Sequence, residues 1–246
     1  MILGAQMFTV RELCQNTKDL SETLKKIADI GYTTVQVSGT CEYDAAWLKG
    51  ELDKNGLKCA VTHYAPPKIV DAPDATMEAH RILDCKNIGL GYFNFIEEGL
   101  ESFIKTYGKS IKTFGENGFN FCYHNHHFEF DKKDGVPYLK LLADAFPKEE
   151  LSFTVDTYWV QKAGGDPTWW LNALKDRIPC VHLKDMDFKG DMAPVGSGNM
   201  NWDGILKVCE SANTEYLLVE QDNCDASNAI ECLTKSYKYL TSLGLK

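Results

Sequence analysis

The feature that most constrains this chain is an alternation, repeated eight times. A short apolar run is followed each time by a segment of helical periodicity. The runs are Leu3–Phe8, Thr34–Val37, Cys59–His63, Ile88–Phe93, Asn120–His124, Leu151–Asp156, Cys180–Lys184 and Tyr216–Glu220. Short, nearly continuous apolar runs are what strands buried on both faces require. Their spacing of about 25 to 36 residues is that of a strand-helix unit. Between them, Leu20, Leu24 and Ile27 recur on one helical face, with Gly31 as the stop. Leu100, Phe103, Tyr107, Ile111 and Phe114 form a longer face, ended by Asn117-Gly118. Asp166-Pro167 reads as an N-cap followed by proline at the first helical position. Ile230, Leu233, Tyr237 and Leu240 make the last face, closed by Gly244. Eight such units in 246 residues predict an α/β fold, a (β/α)8 TIM barrel, as one domain over residues 1–246. The rival is a doubly wound open sheet, which would often carry a glycine-rich phosphate loop after its first strand. Met7-Phe8-Thr9-Val10 supplies no such glycines.

Composition narrows the function. The net charge of −9 repels a phosphate backbone, so a nucleic-acid partner is not expected. No apolar run approaches the roughly 20 residues of a membrane span, and Met1–Val10 has no signal-peptide pattern. The nine cysteines include no CxxC pair, which argues against a zinc ribbon or a disulfide framework. Cys59, Cys122 and Cys180 fall inside apolar runs, where a thiol behaves as a small hydrophobe. A cytoplasmic protein with reduced thiols is the expectation.

In such a barrel the chemistry sits at the C-terminal ends of the strands. Those ends supply Gln6, Gln36, His63, the stretch Tyr123–Glu129, Asp156, His182 with Lys184 and Asp185, and Glu220-Gln221-Asp222. Five of the six histidines lie there; only His80 lies in a helical segment. Charges at strand ends are costly unless paired or bound to metal. Mixed carboxylate and imidazole groups suit a divalent ion such as Mn, Mg, Co or Zn.

The pieces YHNHHFEF (123–130), TVDTYW (154–159), VHLKD (181–185), PVGSGNMNWDGIL (194–206) and LLVEQD (217–222) together resemble the sugar phosphate isomerase/epimerase family, the xylose-isomerase-like TIM barrels. The resemblance implies one divalent metal held by Asp156, His182 and Glu220, with Glu129 as the strand-5 ligand and His124 and His126 as alternatives. It implies a small-molecule sugar or polyol substrate, and a homodimer or homotetramer. The chemistry implied is proton abstraction next to a metal-bound carbonyl, through an enediolate, giving an isomerase or epimerase. The same site would serve an inosose or keto-sugar dehydratase or lyase; a non-catalytic sugar-binding barrel is the other alternative. Glu129, Glu220, His126 and Lys184 are the candidate catalytic groups. Gln6, His63, His124, Trp159 and Trp202 are the candidate substrate-binding groups, and Phe8 is a further ring for stacking on a sugar. Gly196-Ser197-Gly198 reads as a turn rather than a phosphate cradle. Trp169-Trp170 reads as helix packing, and His127 is expected to point away from the barrel axis.

Overall fold

Each apolar run enters a strand of one closed parallel barrel in the computed structural model, which describes residues 1–245. The strands are β1 (Ile2–Gln6), β2 (Thr34–Val37), β3 (Lys58–His63), β4 (Asn87–Leu90), β5 (Asn120–His124), β6 (Leu151–Asp156), β7 (Cys180–Leu183) and β8 (Tyr216–Val219). They pair in chain order, and β8 closes on β1. The main helices between and after them are α1 (Thr17–Ile30), α2 (Ala45–Lys54), α3 (Pro73–Ile82), α4 (Phe95–Glu116), α5 (Tyr138–Ala145), α6 (Pro167–Ala173), α7 (Trp202–Ser211) and α8 (Ala229–Ser242).

Local chemistry sets the helix bounds. Asn16 caps α1 by accepting the Asp19 N–H, and Gly31 ends it at φ +121°. Between them Leu20, Leu24 and Ile27 are fully buried, each contributing roughly 1.5–3 kcal/mol over an exposed position. Asp166 caps α6 through the Thr168 N–H, with Pro167 at its first turn. There Trp170 is buried against Phe130, while Trp169 remains exposed.

Several strands stop short of the apolar runs that announce them. β1 ends at Gln6, and Met7–Leu13 turns into a 3-10 helix. β4 ends at Leu90, and Phe93 leaves the ladder to pack edge-on against Phe95, Phe103 and Tyr107. Apolar character there marks burial under α4 rather than strand pairing. The nine cysteines are free thiols, seven of them buried. Among the described residues no helix is long and apolar enough to cross a membrane.

The barrel interior explains where the site lies. Ala60, Val61, Cys122, Cys180 and Leu218 form a small apolar cluster inside it. Side chains two residues apart on a strand share a face. Two residues beyond Val61, Cys122, Cys180 and Leu218 stand His63, His124, His182 and Glu220. The polar groups are therefore the layer directly above an apolar floor.

Candidate active site

Four side chains converge in that layer. One nitrogen each from His124 and His182 and one oxygen each from Asp156 and Glu220 lie within 4.8 Å of one another, all on buried residues. Asp156 and His182 are register partners across β6 and β7. The Asp156 Oδ1 caps the short helix Thr157–Lys162 by accepting the Trp159 N–H at 2.9 Å. The Asp156 backbone N–H donates to Asn125 Oδ1 at 3.0 Å. Its Oδ2 is thus left facing His124 Nε2 at 3.3 Å and His182 Nδ1 at 3.6 Å.

The far nitrogen of each imidazole faces a carbonyl oxygen. His124 Nδ1 lies 3.3 Å from the Gly91 carbonyl, and His182 Nε2 lies 2.6 Å from Gln36 Oε1. A carbonyl only accepts, so these nitrogens carry protons. In the neutral rings the inner nitrogens are acceptors, turned toward two carboxylates. His182 Nδ1 and Glu220 Oε2 lie 2.8 Å apart, yet neither makes an aligned hydrogen bond. Two lone-pair nitrogens facing two carboxylates call for a cation. Lys184 meets part of that demand: its Nζ is 3.2 Å from Asp156, 3.1 Å from Glu220 and 2.8 Å from Asp222. With both rings neutral, three carboxylates against one ammonium leave an excess of two negative charges, which a divalent ion would offset.

The titration behaviour expresses the same field. Burial opposes ionisation of Asp156, but Lys184 and the two histidines outweigh it and hold its pKa well below the usual range. Glu220 is lowered for the same reason, with burial overcome by Lys184 and His182. Burial would depress His182, but Glu220 and Asp156 raise it to about 9, so with no other cation a proton occupies Nδ1, and a metal ion would take that proton's place. His126 is driven the other way, to about 3, by burial and then by His124. It is therefore a neutral imidazole.

Above this cluster opens a cavity of about 390 Å3 whose walls include Phe8, His63, Tyr92, His126, Lys184 and Asp222. Glycines on the β4 side make room for it. A Cβ on Gly91 would lie 2.9 Å from His63 Nδ1 in the cavity wall, while Gly89 lets β4 approach β3, since a Cβ there would lie 2.1 Å from the Thr62 carbonyl. His126 Nδ1, His63 Nε2 and Asp222 Oδ1 are buried without protein partners.

Of the residues singled out in the sequence, Asp156, His182, Glu220 and His124 come together, and Lys184 joins them. His63, His126 and Phe8 reach the cavity wall. Trp159 lies under Lys184 at 5.3 Å and beside His126 at 5.5 Å. His127 is exposed and packs beside Trp159, as its position implied.

Four expectations are corrected, the first being Trp159, which stands outside the cavity wall. Glu129 does not join the four donors. The 3-10 turn Phe128–Phe130 folds it back, and its carboxylate accepts from the Tyr123 hydroxyl and from the His126 N–H at 2.8 Å. Burial raises its pKa to about 7. His124 takes the strand-5 position among the donors instead. Trp202 does not line the cavity, because its indole N–H donates to buried Asp185 at 2.9 Å. Gln6 accepts the Phe8 N–H at 3.1 Å and caps the 3-10 turn, so it lies beneath the cavity rather than in its wall.

Two further residues, named in the sequence as strand-end groups but given no role there, carry the site. Asp222 lines the cavity and holds Lys184, and Gln36 holds His182. Their signal was position, at or beyond the end of a strand, rather than residue type. The Gly196 and Gly198 N–H groups both donate to Asp185, so they form an internal turn with no amides turned outward for phosphate.

The sequence matches the model of the xylose isomerase-like TIM barrel family over residues 24–236. No curated protein matches the chain. Among solved structures, a sugar phosphate isomerase/epimerase from Parabacteroides distasonis is similar at TM-score 0.83 and 21% identity, over 98% of this chain and 93% of that one. An L-ribulose 3-epimerase is similar at TM-score 0.75 and 14% identity, over 100% and 95%. A probable 3-DHS dehydratase from Bacillus anthracis is similar at TM-score 0.72 and 15% identity, over 98% and 99%. At these identities the likeness is one of fold.

Proposed function

The chain belongs to the xylose isomerase-like TIM barrel family, and from that premise we propose that it is a divalent-metal-dependent isomerase or epimerase. Its substrate is a keto-sugar, a sugar or a polyol derivative. The observation that carries this reading is the convergence of two acceptor nitrogens and two carboxylates at the C-terminal ends of β5 to β8. Those four residues, His124, Asp156, His182 and Glu220, would hold the ion. An N2O2 donor set suits Mn, Co or Zn better than Mg, which prefers oxygen. The bound ion supplies a Lewis acid that polarises a substrate carbonyl.

The protein's own groups account for the rest. His126 is neutral, borders the cavity and has Nδ1 free, so it is placed to take the proton from the carbon beside the carbonyl. The electron pair moves onto the carbonyl oxygen, and the Lys184 ammonium is positioned to hold the charge that develops there. Burial of Lys184 strengthens that interaction, because little water screens it. His63 Nε2 and Asp222 Oδ1 offer partners for substrate hydroxyls, and the Phe8 ring offers a surface for sugar C–H groups. The proton on His126 exchanges with solvent, and delivery of a solvent proton to the opposite face gives an epimer. Delivery from His126 to the neighbouring carbon, with that carbon's hydroxyl proton passing to the former carbonyl oxygen, gives an isomer.

The test is turnover of a panel of ketopentoses and ketohexoses by Mn2+-loaded protein in D2O, followed by proton NMR. Proton abstraction predicts product carrying deuterium at the carbon beside the carbonyl. Product that retains only protium there would contradict the proposed step and indicate internal hydride transfer. Absence of turnover across the panel with the metal bound would count against isomerase or epimerase activity on simple ketoses.

A further inference from the structure

Gln36 is fully buried on β2, and its side chain meets that of His182, which comes from β7. The 2.6 Å contact between Gln36 Oε1 and His182 Nε2 is the one hydrogen bond His182 makes through its ring. The opposite nitrogen, Nδ1, is the atom that faces Asp156 and Glu220. A neutral imidazole carries one proton, and the nitrogen that holds it cannot donate a lone pair. Whichever group accepts from Nε2 therefore decides whether Nδ1 is available.

We propose that Gln36 is a positioning residue that fixes His182 with its proton on Nε2, leaving Nδ1 as a metal donor. The inference rests on the metal reading above and extends it to a residue from the opposite wall. The choice of an amide is physically sensible. A carboxylate at this place would add a fourth negative charge to a group already carrying an excess of two. An apolar side chain would offer no acceptor, and the ring would be free to turn or to keep its proton on Nδ1. Partners of this kind typically alter metal affinity by 10- to 100-fold when removed.

The experiment is titration of the metal-free full chain with Mn2+ and with Zn2+ by calorimetry, for wild type, Gln36→Leu and Gln36→Glu. It is joined by long-range proton-nitrogen NMR of 15N-histidine-labelled, Zn2+-loaded wild type. Gln36→Leu should lose roughly 10- to 100-fold in affinity, while Gln36→Glu, which keeps the acceptor, should remain within about tenfold of wild type. The His182 resonances should show the proton on Nε2. Equal affinity in wild type and Gln36→Leu, or a proton on Nδ1, would overturn the assignment. The NMR readout stands even if the leucine variant fails to fold. Wild type that takes up no metal would instead overturn the metal reading itself.

Discussion

His124 and Glu129 show how five residues separate a donor from a brace. His124 shares its strand face with Cys122, which lies in the barrel floor, so its ring points inward above that floor. Asp156, His182 and Glu220 are named in the sequence because they stand at or near strand ends and match the family's pattern, and the fold brings them together. Glu129 lies beyond the strand, and the turn that folds it under Tyr123 leaves no periodic trace. Its carboxylate is consumed by two hydrogen bonds. His124→Ala should therefore weaken Mn2+ or Zn2+ binding by at least tenfold, whereas Glu129→Gln should leave it within a few-fold. Calorimetric titration of both variants checks this; the opposite ranking would return Glu129 to the ligand set. Trp202 was misread for a related reason. An aromatic after a strand-end loop suits either a sugar or a buried anion, and only the fold brings Asp185 to its indole.

At the scale of elements, the loops are held by polar residues that look interchangeable in the sequence. Asp185 receives the N–H groups of Gly196, Gly198 and Met200 together with the Trp202 indole, and so ties the segment after β7 to the start of α7. His80 does the corresponding work between α3 and β3. Its Nδ1 donates to the Thr76 carbonyl at 2.8 Å, and its Nε2 accepts from the Thr62 hydroxyl at 2.9 Å. Both bonds suit the neutral ring; protonation would only reverse the second, because the Thr62 hydroxyl can also accept, so it is burial that opposes the charge. Burial lowers the His80 pKa from 6.5 to about 4. The unfolded chain therefore binds the proton first. The stabilising effect is complete above pH 6.5, declines as pH falls, and levels off near pH 4. Over that window the difference amounts to about 3 kcal/mol. Denaturant unfolding at several pH values should show this slope in wild type and its loss in His80→Gln. A wild-type-to-variant difference that stays constant between pH 4 and 7 would contradict it.

On the scale of the whole molecule, the eightfold alternation was legible because a barrel must repeat one solution eight times. Strand order and closure follow from that repetition. Strand ends were legible only within a few residues, since buried loop residues such as Phe93 are as apolar as strand residues. The layer above the apolar floor is proposed to be a single divalent-metal site. Elemental analysis by mass spectrometry tests it most directly, on wild type and Asp156→Ala, each loaded with Mn2+ or Zn2+ and then desalted. The account predicts close to one ion per chain in wild type, removed by chelator and restorable. It predicts close to none in the variant, whose far-UV circular dichroism should be unchanged. Wild type that holds no ion under any loading condition, or a folded variant that holds as much as wild type, would contradict it.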